Sequence, residues 1–171
     1  MGMDLKDAAT LIGTLAVIAG VIFAVIQLRQ HGRARRREAA LELVHSFQTP
    51  EFSRALRVLF ALPEGIDLAT VEALPADEVK DLYMVLTTFE SLGAIVHRGE
   101  IGIDLVEDFF SGPIVLAWRT LGPAVGELRR RTGRDTLSEW FQWLAERIIE
   151  RESKTPPKPA YLAYRDWRPG R

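Results

Sequence analysis

Few residues in this chain have the type and spacing to do chemistry, and each also has a structural role open to it. Glu42-Leu-Val-His45 has the Glu-x-x-His spacing that places two metal ligands on one helical face. A carboxylate-bridged di-iron bundle needs two such pairs and two more carboxylates from other helices. Only one pair is present, because His97 lies outside any second copy and His31 follows the apolar N-terminal run. His45 therefore reads as a surface histidine. His97 reads as a cation-capable residue near a helix C-terminus, where the dipole favours it. Asp104, Glu107 and Asp108 cluster closely enough for acid–base work, but helix capping explains them more economically. Glu90 stands beside Phe89, and its expected partner is an arginine such as Arg57 or Arg119, or water. No phosphate-binding glycine loop, serine elbow or metal-ligand spacing occurs. The chain has no cysteine, which removes disulfides, thiolate metal sites and thiol chemistry. The expectation is a non-enzymatic protein with no catalytic residues, no metal and no cofactor.

The elements around these residues say more. Residues 8–28, AATLIGTLAVIAGVIFAVIQL, carry no charge and are followed at once by RQHGRARRR. Twenty-one residues at a rise of about 1.5 Å each span the ~30 Å core of a bilayer. A cleaved signal peptide would carry its basic region before the apolar run; here Asp4, Lys6 and Asp7 lead and the arginines follow. A buried core helix normally keeps a polar face, whereas Thr10 and Thr14 are the only polar side chains between Ala8 and Gln27. The run is expected to be a transmembrane helix preceded by a short extracytoplasmic segment, 1–7. Lys6 stands on one side; Arg29, Arg33, Arg35, Arg36 and Arg37 stand on the other, in a basic juxtamembrane segment, 29–37. The positive-inside bias places the remainder in the cytoplasm, with the arginines against anionic head groups. Ala9, Gly13, Ala16, Gly20 and Ala24 form a smooth face suited to close approach by another membrane helix.

Beyond residue 37, 134 residues remain, enough for one globular domain. Six of the 22 Lys and Arg and two of the 23 Asp and Glu precede residue 38, so residues 38–171 carry net −5. That balance argues against nucleic-acid binding. Residues 38–152 read as a helical domain with no period-two strand pattern. A first stripe runs through Ala40, Leu43, Val44 and Phe47 in a helix over 34–47. Thr49-Pro50 then opens a second helix with Phe52, Ala55, Leu56 and Leu59 on one face. A connector over 63–75 holds a helical turn after Asp67. The longest helix runs from Ala76 to about His97, with Val79, Leu82, Tyr83, Leu86, Phe89, Gly93 and Val96 on its apolar face.

Asp104 and Glu107 are expected to cap a short helix through Phe110. Gly112-Pro113 and then Pro123 should interrupt the chain, and Gly133 should end the segment. Thr136 and Glu139 have capping-box spacing for a last helix with Leu137, Trp140, Phe141, Leu144 and Ile148 on its face. The tail, 153–171, should run extended, with TPPKP in the polyproline II conformation. Tyr161, Tyr164, Arg165, Trp167 and Arg168 follow as candidate partner-binding anchors.

The anchor with its basic exit, TPEF at 49–52, RGEIGIDLVEDFF at 98–110, W-x-x-L-x-P at 118–123 and EWFQWLAER at 139–147 resemble a widespread bacterial family of uncharacterised, membrane-anchored helical proteins, a domain of unknown function. The resemblance covers roughly residues 5–150 and implies fold and topology without catalytic residues. The expected role is an accessory or scaffold subunit. It would bind integral membrane subunits of a larger complex through its membrane helix and tail; by analogy, an energy-transducing complex, respiratory or photosynthetic. The alternative is a regulatory or signalling module that binds a small ligand or peptide between the cytoplasmic helices. A solvent-reachable apolar pocket with convergent polar groups would favour that alternative.

Overall fold

The structure, a computed structural model, describes Gly20, Val21, Phe23, Gln27, His45, Phe47 and residues 49–168. The chain divides into two compact units, residues 1–43 and 44–171. Of the first unit, Gly20, Val21, Phe23 and Gln27 are described, and all four are helical and exposed. The rest of the expected membrane span and packing face, and the five juxtamembrane arginines, lie outside the described residues. No described helix is long and apolar enough to cross a membrane.

Among its described residues the second unit is all-α: α1 (Pro50–Ala61), α2 (Leu68–Glu72), α3 (Ala76–His97), α4 (Ile103–Thr132), α5 (Glu139–Lys154) and α6 (Ala160–Ala163). Before α1, His45 and Phe47 are helical, the first exposed and the second buried. Helix α1 starts as its sequence dictates. Thr49 Oγ1 accepts the Phe52 N–H at 3.1 Å, and Pro50 occupies a first-turn position where no donor is needed. Asp67 caps α2 in the same way, accepting the Thr70 N–H at 2.8 Å and the Thr70 hydroxyl at 2.6 Å. These bonds stabilise the charged form and hold the Asp67 carboxyl below its ordinary value.

Helix α3 is the centre of the bundle, packed chiefly against α5 and α1, while α5 also packs on α4. Its central position widens its buried face beyond the expected stripe. Asp81, Leu82, Val85, Phe89, Leu92, Gly93 and Val96 are buried, whereas Tyr83 is exposed and Val79 and Leu86 are half-buried. Aromatic rings fill the core. Phe47 stacks on Phe110 at 4.0 Å and meets Phe52 edge-on at 4.9 Å; Phe141 lies 5.4 Å from Phe89 and 5.2 Å from Trp118. Asp81, only 2% exposed, accepts a hydrogen bond from Arg54 Nη2 of α1 at 2.8 Å.

The expected breaks at Pro113 and Pro123 do not occur: α4 continues through both as one 30-residue helix capped by Gly102. Two features permit this. A residue before proline is pushed out of the α region by contact of its own Cβ with the ring, and here Gly112 and Gly122, which have no Cβ, occupy those positions. A helical proline also leaves the carbonyl four residues back without a donor. For Pro123 that carbonyl is Arg119 O, and it accepts the Gly65 N–H from the α1–α2 connector at 2.9 Å; Thr120 O next to it accepts the Ile66 N–H at 3.1 Å. For Pro113 the freed carbonyl belongs to Phe109, an exposed residue that water can reach. Gly133 then ends α4 in the left-handed conformation (φ 67°).

Candidate functional site

Helices α3 and α4 have few direct contacts, and a cavity of about 250 Å³ opens between them beneath α2. Leu68 and Val71 of α2 form one wall, and Val79, Leu82, Tyr83 and Leu86 of α3 a second. Leu121, Ala124, Val125 and Leu128 of α4 form the third, and Leu137 closes one end. The lining is apolar apart from Thr87, Glu90, Ser138 and the Tyr83 hydroxyl. Val79, Tyr83 and Leu86, expected in the core, line this cavity instead.

The polar end of the cavity is built by long-range contacts. Ser138, the residue before α5, adopts φ 55° and makes no side-chain cap, so the expected Thr136–Glu139 capping box does not form. Glu90 of α3 takes that role: its Oε2 accepts the Phe141 N–H in the first turn of α5 at 2.8 Å. Its protein partner is thus a backbone amide rather than Arg57 or Arg119. The carboxylate also complements the positive end of the α5 dipole. Gly93, one turn further along α3, lets α5 come this close. A Cβ there would lie 2.2 Å from the Trp140 carbonyl oxygen.

The loop between α4 and α5 is held by Arg129, whose Nε donates to Leu137 O at 2.8 Å and whose Nη1 donates to Gln142 Oε1 at 2.6 Å. At the cavity's other edge, Glu127 Oε2 accepts the Leu68 N–H at 3.3 Å and joins α2 to α4. Both contacts fix residues that line the cavity.

The acidic cluster has a structural partner. Arg151 of α5 donates to Glu107 at 2.6 Å through Nε, and to Asp104 through Nη2. The Glu107 hydrogen bond and charge, then Asp104, push the arginine pKa up. This ties the start of α4 to the end of α5 in place of the expected cap pair for a short helix. His97, exposed at the end of α3, packs its ring 4.4 Å from Trp140 and 5.5 Å from Trp143. Among the described residues no three His, Asp or Glu side chains converge as metal ligands.

The tail projects its candidate anchors. The tail is not extended throughout as expected: α5 reaches Lys154, and Pro156 to Pro159 run without helix into α6, where the prolines no longer block helical hydrogen bonds and whose four residues are all exposed. Tyr161, Tyr164 and Trp167 are 77%, 68% and 69% exposed, and Arg165 and Arg168 are exposed as well. A groove between this tail, α4 and α5 carries Glu107, Asp108, Lys154 and Lys158 on its walls. Of the predicted membrane-packing residues, Gly20 alone is described; a Cβ on it would meet nothing within 4 Å.

Sequence reading missed the cavity, the Glu90–Phe141 bond and the Gly93–Trp140 approach. The signal available for the last two was a glycine and a glutamate three residues apart on the apolar helix 76–97. No curated protein and no solved structure matches the chain. The domain of unknown function DUF4760 matches residues 14–148, well over half of the 171, and the chain belongs to that family.

Proposed function

We propose that this protein is a non-enzymatic, single-pass membrane accessory subunit that docks on and stabilises a larger inner-membrane complex. The observation that carries the reading is the tail. Tyr161, Tyr164 and Trp167 hold most of their surface in water beside two arginines, behind a proline spacer. Large aromatics left exposed together mark interaction surfaces, and Tyr, Trp and Arg supply most binding hot spots. The uncharged run 8–28 and the arginines after it support an N-out anchor with the helical domain in the cytoplasm. The small-residue face Ala9, Gly13, Ala16, Gly20 and Ala24 supplies a second contact, to a partner's membrane helix. Complexes of the respiratory or photosynthetic kind, which collect single-helix accessories, are the proposed host.

The test is native mass spectrometry of the protein solubilised from its own host in mild detergent. The wild type is expected in a stoichiometric complex with integral membrane subunits. Replacing Tyr161, Tyr164 and Trp167 together by Ala should release it without changing its thermal midpoint, because exposed substitutions move stability by about 0.5 kcal/mol or less. Gly20→Leu should weaken the same association. Wild type recovered only as a free monomer, or complexes unaffected by both changes, would refute the reading.

A further inference from the structure

The docking reading makes no use of the cavity between α3 and α4, and we infer that this cavity is a binding site for a small uncharged lipophile of about ten carbon atoms bearing one hydrogen-bond donor. Size follows from volume. An apolar cavity of about 150 Å³ takes up benzene, with six carbons; the same packing in about 250 Å³ accommodates about ten. The apolar body follows from the aliphatic walls supplied by three helices. Water among the aliphatic walls would find few of the two to four polar partners it needs.

The donor follows from the polar end. Glu90 commits Oε2 to the Phe141 N–H at 2.8 Å. Its Oε1 has no partner among the described residues, nor has the Ser138 hydroxyl. A ligand hydroxyl placed there gives the free carboxylate oxygen a charge-assisted hydrogen bond. An anionic head group meets like charge instead. The site therefore discriminates by charge as well as by shape. Tyr83 and Thr87, both exposed on α3, form its mouth. This inference stands whether or not the tail binds a partner.

The test uses the full chain in lipid nanodiscs with ¹³C-labelled alanine, valine and leucine methyls, titrated with 2-naphthol, naphthalene and 2-naphthoate and compared at equal free concentration. Saturable shifts of the Val125 and Val71 methyls with 2-naphthol are expected. Affinity for naphthalene and for 2-naphthoate should be weaker by about tenfold, the worth of one hydrogen bond to a charged group. Ala124→Phe, which fills the cavity from α4, should abolish the shifts while the protein still melts cooperatively. Leu128→Trp supplies the same decision should the first variant fail to fold. No saturable shift, equal affinity for 2-naphthoate, or shifts that persist in a folded filled variant would each overturn the proposal.

Discussion

Replacing Gly93 by Ala should destabilise the helical unit, although the same change inside a helix usually stabilises it. Alanine is favoured over glycine in a helix interior by about 0.5–1 kcal/mol. At position 93 the added Cβ would stand 2.2 Å from the Trp140 carbonyl oxygen and 2.6 Å from its carbon. These are backbone atoms in the first turn of α5, so no rotamer change relieves the contact, and α5 must move away by about 1 Å. Overpacking of this kind costs about 1–3 kcal/mol. The movement also stretches the Glu90–Phe141 bond, whose capping role is worth about 1 kcal/mol. Set against the helix-propensity gain, the net loss is about 1–3.5 kcal/mol. For a unit of this size, at about 3–4 °C per kcal/mol, the thermal midpoint should fall by about 3–14 °C. Gly126→Ala is the control. It lies in the interior of α4, with only the flexible end of Arg130 near its Cβ position, at 3.9 Å, and should raise the midpoint by a few degrees. Thermal denaturation followed by far-UV circular dichroism reads both. If Gly93→Ala matches or exceeds the wild-type midpoint, the close approach of α3 and α5 is refuted.

Arg54→Met should lower the midpoint, because it leaves the buried Asp81 carboxylate without its cation; the double variant with Asp81→Leu should recover most of the loss, and a double variant no more stable than Arg54→Met would contradict the pairing. Stability should also depend on Asp67 at acid pH. Its Thr70 hydrogen bonds lower the folded-state pKa below the ordinary 3.8, so the unfolded chain binds its proton first, and the contribution present above about pH 4 is lost as pH falls through the folded value. Asp67→Asn should lose less stability than wild type between pH 5 and the acid limit, measured by urea titration; parallel curves would count against the cap.

Local chemistry made much of this fold legible. Thr49-Pro50, Asp67 with Thr70, and the Ala76–His97 helix form as their residues dictate, since each depends on neighbours within one or two turns. The continuity of α4 was not legible in the same way. Gly112-Pro113 and Gly122-Pro123 look like breaks until Gly65 and Ile66, more than fifty residues away, supply N–H donors to the carbonyls around Pro123. The α5 start likewise depends on Glu90, 51 positions from Phe141. The non-helical run Pro156–Pro159 was legible because successive prolines cannot join a helix, whereas the short α6 after it was not. The cavity was not, because Val79, Tyr83 and Leu86 carry the same helical spacing whether they face a neighbouring helix or a space between two.

The proposed topology anchors the chain by its N-terminal run and leaves the acidic helical domain on the cytoplasmic side. Carbonate extraction of membranes, combined with protease treatment of spheroplasts and of inverted vesicles, decides it. The full-length chain should stay in the carbonate-washed pellet, and residues 38–171 should be digested in inverted vesicles and protected in spheroplasts. Release by carbonate, or digestion of the helical domain from outside, would contradict it.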